Sequence, residues 1–182
     1  GGEVNASFST IALNAGEFGG GIYNMGTLAI GSTILAENVA TRDESEVGLN
    51  QNPANLVSNG FNIITDNSQF GLSQVSDQIG DPLLTDLIAI QGSVPMHGIL
   101  PSSPAVDSGD PAGFPATDQR GGARPLPANG SPDAGAYELE SFTWEAQLVV
   151  DSFSDVLDAD YSAGSLTLRE AILWANAKDG TA

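Results

Sequence analysis

A chain of 182 residues, 41% of them apolar, is long enough for one domain with its own core and too apolar for wholesale disorder. Five Lys and Arg against 23 Asp and Glu give a formal net charge of −18. That balance excludes nucleic acid, anionic membranes and polyanionic sugars as main partners, since each requires a basic surface to replace counterions.

The lack of cysteine rules out disulfides and thiolate metal sites, and no apolar run approaches the roughly 18 residues of a membrane helix. High glycine, with abundant Asn, Ser and Thr, favours a turn-rich β architecture. The abrupt start at GGEVNAS reads as a mature, processed or truncated chain.

Residues 8–38, FSTIALNAGEFGGGIYNMGTLAIGSTILAEN, repeat themselves. Ser9-Thr10-Ile11 returns as Ser32-Thr33-Ile34, a spacing of 23 residues, and each copy leads through Ala and Leu to Asn14 or Asn38. Between the copies Ile22, Leu28 and Ile30 are apolar, with glycines at the corners. Short β-branched segments at this spacing predict an all-β solenoid, in which no coil buries its apolar face until coils stack and identical Asn side chains ladder in the turns. Two unrelated hairpins of chance similarity are the competing reading.

Residues 41–55 are polar and predict a loop bulging from the stack. Residues 55–67 predict a further coil, with Phe61, Ile63 and Ile64 as core positions. From Gly80 the chain is rich in proline, which cannot serve a central ladder. This stretch predicts an irregular C-terminal end covering the unpaired edge of the last coil. Strand-like alternation returns in AGAYELESFTWEAQLVVDS and leads through an acidic segment into a helix. Thr167 and Glu170 form a capping box there, and Leu168, Ala171, Ile172 and Ala175 recur at helical spacing. Within this sequence no β-helix follows for that apolar stripe to cover, so either further sequence of a longer tandem array or another subunit is expected to supply the surface, and these four residues are predicted to form an interface.

GGGIYNMGTLAIGSTILAEN resembles the GGGIYN-x-GTL coils of bacterial right-handed parallel β-helix proteins. DPLL, HGILPSSPAVDSGDP, TDQRG and PDAGAYE follow in the order found in the C-terminal segment of the choice-of-anchor surface proteins, a resemblance covering residues 19–139. SLTLREAI resembles the SLREA-type element that opens β-helices of the same group, although Ser165-Leu166-Thr167 departs slightly from its usual beginning. The resemblance implies a secreted or surface-displayed right-handed parallel β-helix and no particular reaction. It divides the chain into β-helix coils at 1–79, a Pro/Gly-rich C-terminal region at 80–139, and an SLREA-like strand, acidic loop and helix at 140–182.

Catalytic chemistry finds little support. His97, the lone histidine, has no G-x-S-x-G or comparable nucleophile element to serve, and a packed structural role is favoured. Asp107, Asp110, Asp118, Asp133 and Glu138 lie in turn motifs beside Arg120 and Arg124. A glycosidase carboxylate pair or a metal site is one reading. A structural loop network of Asp107, Asp118, Arg120, Arg124 and Glu138 is the favoured one, with Asp side chains shaping turns and arginines locking them.

A polysaccharide lyase would need basic residues on the coils, and residues 1–67 carry only Arg42. Asp151, Asp155, Asp158 and Asp160 offer hard oxygen ligands for calcium but lack the spacing of an EF-hand, so a solvated acidic loop competes. The sequons at Asn5 and Asn129 read as chance. The expectation is a non-enzymatic, extracellular or cell-surface structural or adhesive protein that needs no cofactor and whose partners are copies of itself, head to tail. A carbohydrate-active β-helix enzyme, or a module binding surface glycans through Tyr23, Phe114 or Trp144, is the alternative.

Overall fold

The computed structural model describes residues 2–42, 46–48, 56–65, 72, 74–89, 94–140, 149–155, 157 and 164–179. Short apolar segments between tight corners form strands too brief to stand alone, and they recur in tiers. The first tier holds β1 (Glu3–Ser7), β2 (Thr10–Ala12), β3 (Ala15–Gly16) and β4 (Ile22–Tyr23). The second holds β5 (Thr27–Gly31), β6 (Ile34–Ala36), β7 (Val39–Ala40) and β8 (Val47–Gly48), and then come β9 (Leu56–Ser58), β10 (Ile63–Ile64) and β11 (Gln78–Ile79). Each first-tier strand pairs in parallel with its second-tier counterpart. The ladders continue as a three-stranded sheet β1-β5-β9 and a four-stranded sheet β2-β6-β10-β11. The chain is therefore mostly β, with parallel sheets and, among the described residues, one helix.

The register corrects the repeat read from the sequence. Ile11 stands opposite Leu35 and Ala12 opposite Ala36, the same offset of 24 residues that separates Asn14 from Asn38. The literal Ser-Thr-Ile triplets are thus out of register by one. Side chains alternate faces along a strand, so a slip of one residue would turn the apolar set out of the core. The offset of 24 also lets the Asn14 backbone and side-chain N–H groups both donate to Asn38 Oδ1, each at 3.0 Å. Left-handed corners recur with the tiers, at Phe8 (φ 45), Ser32 (φ 49) and Phe61 (φ 62). Such corners cost about 1–2 kcal/mol for a non-glycine residue. Ladder bonds hold them, Phe8 N donating to Gly31 O and Ser32 N to Gly60 O.

Both faces of the inner strands β6 and β10 are buried. Leu35 and Ile64 face Leu28, Ile30 and Val47 in one apolar cluster. Ile34, Ala36 and Ile63 face the other way, into a second cluster with Met96, Ile99, Ala134, Tyr137 and Leu139. Burial on both sides explains why Ile34-Leu35-Ala36 has no polar alternation.

The proline content predicts a cover for the edge of the last coil, but Ile79 of the outermost described strand stays 66% exposed, and the described part of residues 80–139 packs on a sheet face. Within them β12 (Leu84–Ile88) and β13 (Met96–Ile99) form an antiparallel hairpin with an irregularity between Leu84 and Leu87. Gly135 N donates to Ser32 O and Ala136 N to Thr10 Oγ1, anchoring the region to the sheet's corner. Gly135 sits at φ +94, and a Cβ there would lie 2.7 Å from Ile34 Cδ1, so this approach requires glycine. The alternation at 134–140 forms no strand: it directs Ala134, Tyr137 and Leu139 into the core and Glu138 into a polar cluster.

Two further expectations change. Residues 46–48 of the predicted loop are buried and contain β8, while 43–45 and 49–55 lie outside the described residues. The helix α1 (Leu168–Asp179) has its capping box: Thr167 N donates to a Glu170 carboxylate oxygen at 3.0 Å, and Glu170 N to Thr167 Oγ1 at 3.3 Å. Its start, however, sits on this chain's own core, where Leu166 is buried and Ala171 packs alongside. Among the described residues no helix is long and apolar enough to cross a membrane.

Candidate functional site

Of the loop residues chosen from sequence, Asp118, Arg120, Arg124 and Glu138 come together with Asp133 in one largely buried ionic cluster. Turn residues fold around their own carboxylates. Asp118 Oδ1 accepts from the backbone N–H of Arg120 (2.8 Å) and Gly122 (3.0 Å), while Oδ2 accepts from Arg120 Nε and from Glu138 N. Glu138 accepts from Leu126 N at 2.8 Å and Asp133 N at 3.0 Å. Asp133 in turn accepts from the amides of Asp107 and Leu139. Asp107 thus contributes its backbone amide, while its side chain is on an exposed residue.

The two arginines sit differently. Arg120 stacks 4.0 Å over the Tyr137 ring and donates to Glu138 O. Arg124 Nε lies 3.1 Å from Glu138 Oε2, but off the hydrogen-bond direction, so charge is what joins them. Among the described residues its directional bond runs from Nη1 to Gly135 O at 3.1 Å, and its guanidinium lies 5.0 Å from the Phe8 ring centroid.

Burial pushes the Asp133 carboxyl up to about 7, against the opposing effect of its two amide bonds. Burial also raises Glu138, opposed by its amide partners and by Arg124, and it lowers Arg124 against the pull of Glu138. These carboxylates are enclosed and already engaged by amides, which suits a clamp tying the turns near 107, 118–126 and 133–139 together. An acid–base pair acting on a substrate needs open, uncommitted oxygens.

A second polar stack was not legible in the sequence. Glu46 is buried with β8; its carboxylate accepts from Asn38 Nδ2 at 2.6 Å and from the Thr65 hydroxyl, extending the asparagine ladder across the tiers. In the sequence Glu46 is one of several acidic residues in a polar run, with no signal to distinguish it.

An open cleft of about 210 Å³ lies between β2 and the β12–β13 hairpin, bordered by Thr10, Ala12, Asn14, Leu87, Met96 and His97. His97 Nδ1 lies 2.9 Å from Thr85 O. A carbonyl only accepts, so Nδ1 carries the proton and Nε2 of the neutral ring is an acceptor. Gln119 also borders the cleft and spends its side-chain N–H on Pro95 O. The described partner of the histidine is thus a backbone carbonyl of the neighbouring strand.

The proposed calcium residues are divided. Asp151 accepts from Gly164 N, and Asp155 makes a two-point pair with Arg169 at 2.9 and 2.6 Å. That hydrogen bonding and charge lower the Asp155 pKa. Asp158 and Asp160 lie outside the described residues. Among the described residues no group of three His, Cys, Asp or Glu could hold a metal ion.

Of the predicted interface, Leu168 (61% exposed) and Ile172 (51%) face solvent, Ala171 is partly buried on the chain's own core, and the Ala175 side chain lies outside the described residues. Phe153, Val149 and Val150 are exposed as well. Tyr23 is exposed with its ring 5.7 Å from that of Phe18, Phe114 is half-buried, and Trp144 lies outside the described residues. Arg42, Arg120, Arg124 and Arg169 are each ion-paired within the chain. Comparison with protein-family models, curated proteins and solved structures returns no match to this chain.

Proposed function

We propose that this chain is a subunit of an extracellular structural or adhesive fibre, a right-handed parallel β-helix that assembles head to tail with copies of itself. The observation that carries this reading is that apolar residues are exposed on the outermost described strands at both ends of the ladders. In the column Ile11–Leu35–Ile64–Ile79, Leu35 and Ile64 are fully buried, while Ile79 is 66% exposed and Ile11 half-buried. In the neighbouring column Leu28 is fully buried and Val4 above it is 47% exposed. Apolar ends rimmed by strand edges invite another chain. The two ends differ, so the contact is heterologous and repeats into a fibre.

The segment from 140 onward contributes exposed Leu168, Ile172 and Phe153 to such contacts. Because Leu166 belongs to the chain's own core, the clean perturbation is Leu168→Glu with Ile172→Glu rather than removal of the segment. Negative-stain electron microscopy should show filaments of the unaltered chain and shorter or fewer ones of the double variant. A chain that stays monomeric at every concentration would contradict the reading.

A glycan-binding role has one observation in its favour, the exposed Phe18–Tyr23 ring pair, and with a net charge of −18 it would take neutral saccharides. The enzyme reading gains no comparable support, since the loop carboxylates are buried and committed to amides.

A further inference from the structure

We propose, resting on the head-to-tail reading, that the outer edge of β2 and the cleft beside it are the seat for β11 of a second copy, so that the four-stranded sheet continues from one chain into the next. Two independent features of the end strands select the same register.

Hydrogen-bond parity is the first. Ile34 N donates to Ser9 O and Leu13 N to Ala36 O, so Ser9 and Leu13 turn these groups toward β6. Alternation along a parallel strand then turns the N–H and C=O of Thr10 and the N–H of Ala12 away from β6, to the open edge. At the other end Gln78 N donates to Asn62 O and Gly80 N to Ile64 O. Ile79 is left with its N–H and C=O facing outward. In a parallel ladder one residue bonds the C=O and N–H of two residues flanking its opposite number. Ile79 of the second copy therefore donates to Thr10 O, accepts from Ala12 N, and stands opposite Ile11.

The apolar column is the second feature. Registers already run Ile11–Leu35–Ile64–Ile79, and the two end residues are the ones left uncovered. Placing Ile79 on Ile11 joins the two columns, which is the register that the hydrogen bonds require on their own account.

The cleft fits the same arrangement. Within the chain, the outward side chains Ile34, Ala36 and Ile63 are covered by the C-terminal region. That cover extends past β2, where Leu87 and Met96 wall the cleft beside Thr10 and Ala12. A strand docked on β2 places Gln78 opposite Thr10 in this space. The His97 ring borders it with Nδ1 already committed to Thr85 O, which leaves Nε2 to meet the side-chain amide of Gln78.

The absence of cysteine makes the register directly testable. Ile11→Cys and Ile79→Cys in one chain stand three strand spacings apart, about 14 Å, which no disulfide spans. Oxidation of assembled full-length chains should then give a ladder of covalent multimers on a non-reducing gel, while Ala15→Cys with Ile79→Cys should give none. Ala12→Pro removes only an outward donor, a change that edge strands tolerate. It should raise the concentration needed for assembly about five- to tenfold with the thermal melt of the subunit retained. Filaments that form without a ladder and ignore Ala12→Pro would overturn the seat and leave the fibre standing. Equal ladders from both cysteine pairs would overturn the register. A chain that never assembles would overturn the seat and the fibre together.

Discussion

Replacing Glu138 by Gln removes one charge from the centre of the loop clamp and almost nothing else. Glu138 is fully buried, accepts two backbone amides and sits 3.1 Å from Arg124 Nε. Glutamine keeps the shape and one acceptor oxygen, but it turns an NH₂ toward one of those amides and leaves Arg124 without its nearest counter-charge. Breaking one side of a buried ion pair costs about 3–5 kcal/mol, and an orphaned amide about 1–3 kcal/mol.

The charges of Asp118 and Asp133 act on Arg124 in the same direction as Glu138 and offset part of the loss. The expected destabilisation is about 3 kcal/mol, or about 6–12 °C in melting midpoint for a chain of this size. Urea unfolding followed by circular dichroism measures it, at low salt where self-repulsion at −18 opposes assembly. Adding Arg124→Met removes the stranded charge and should recover at least half of the loss. A single variant within 1 kcal/mol of the unaltered chain, or a double variant with fully additive losses, would refute the ion pair as the clamp's centre.

Two further outcomes follow from the same region. Asp133 has a carboxyl raised to about 7 by burial, so its contribution to stability is complete below the unfolded value near 4 and is lost as pH rises through 7. Asp133 should lower the unfolding free energy between pH 4 and pH 8 by at most about 4 kcal/mol, Glu138 adds in the same direction, and Asp133→Asn should make the profile less steep; a level profile for the unaltered chain would contradict the assignment. Gly135→Ala should cost about 2 kcal/mol or more in urea unfolding, because it combines φ +94 with a Cβ 2.7 Å from Ile34 Cδ1 and 2.8 Å from Thr10 Oγ1. A neutral alanine would mean that residues 134–139 do not press on the sheet.

Short-range chemistry is legible in the amino-acid sequence itself. The capping box needs only Thr167 and Glu170, three residues apart, and it forms as predicted. The asparagine ladder follows from the recurrence of Asn14 and Asn38, and Ile63 and Ile64 lie in the core where their apolar run puts them. Asp118, Arg120, Arg124 and Glu138 are recognisable as a loop network because Asp and Arg recur in Gly- and Pro-rich turns. Their partners are not, since the clamp closes through backbone amides, which every sequence possesses. The true register escapes a comparison of letters: matching Ser-Thr-Ile triplets shifts the strands by one, and only packing distinguishes the two faces.

Composition and local spacing by themselves determined that the chain is β-rich, acidic, repetitive and carries a capped helix, because these properties depend on residues within a turn or a strand of each other. Tertiary structure alone decided that the described part of residues 80–139 lies on a sheet face, that Glu46 is buried and that the helix starts on this chain's own core. The bond from Ala136 N to Thr10 Oγ1 joins residues 126 positions apart. Contacts of that span are selected by which apolar surfaces remain uncovered once the strands have paired, and no local pattern encodes them.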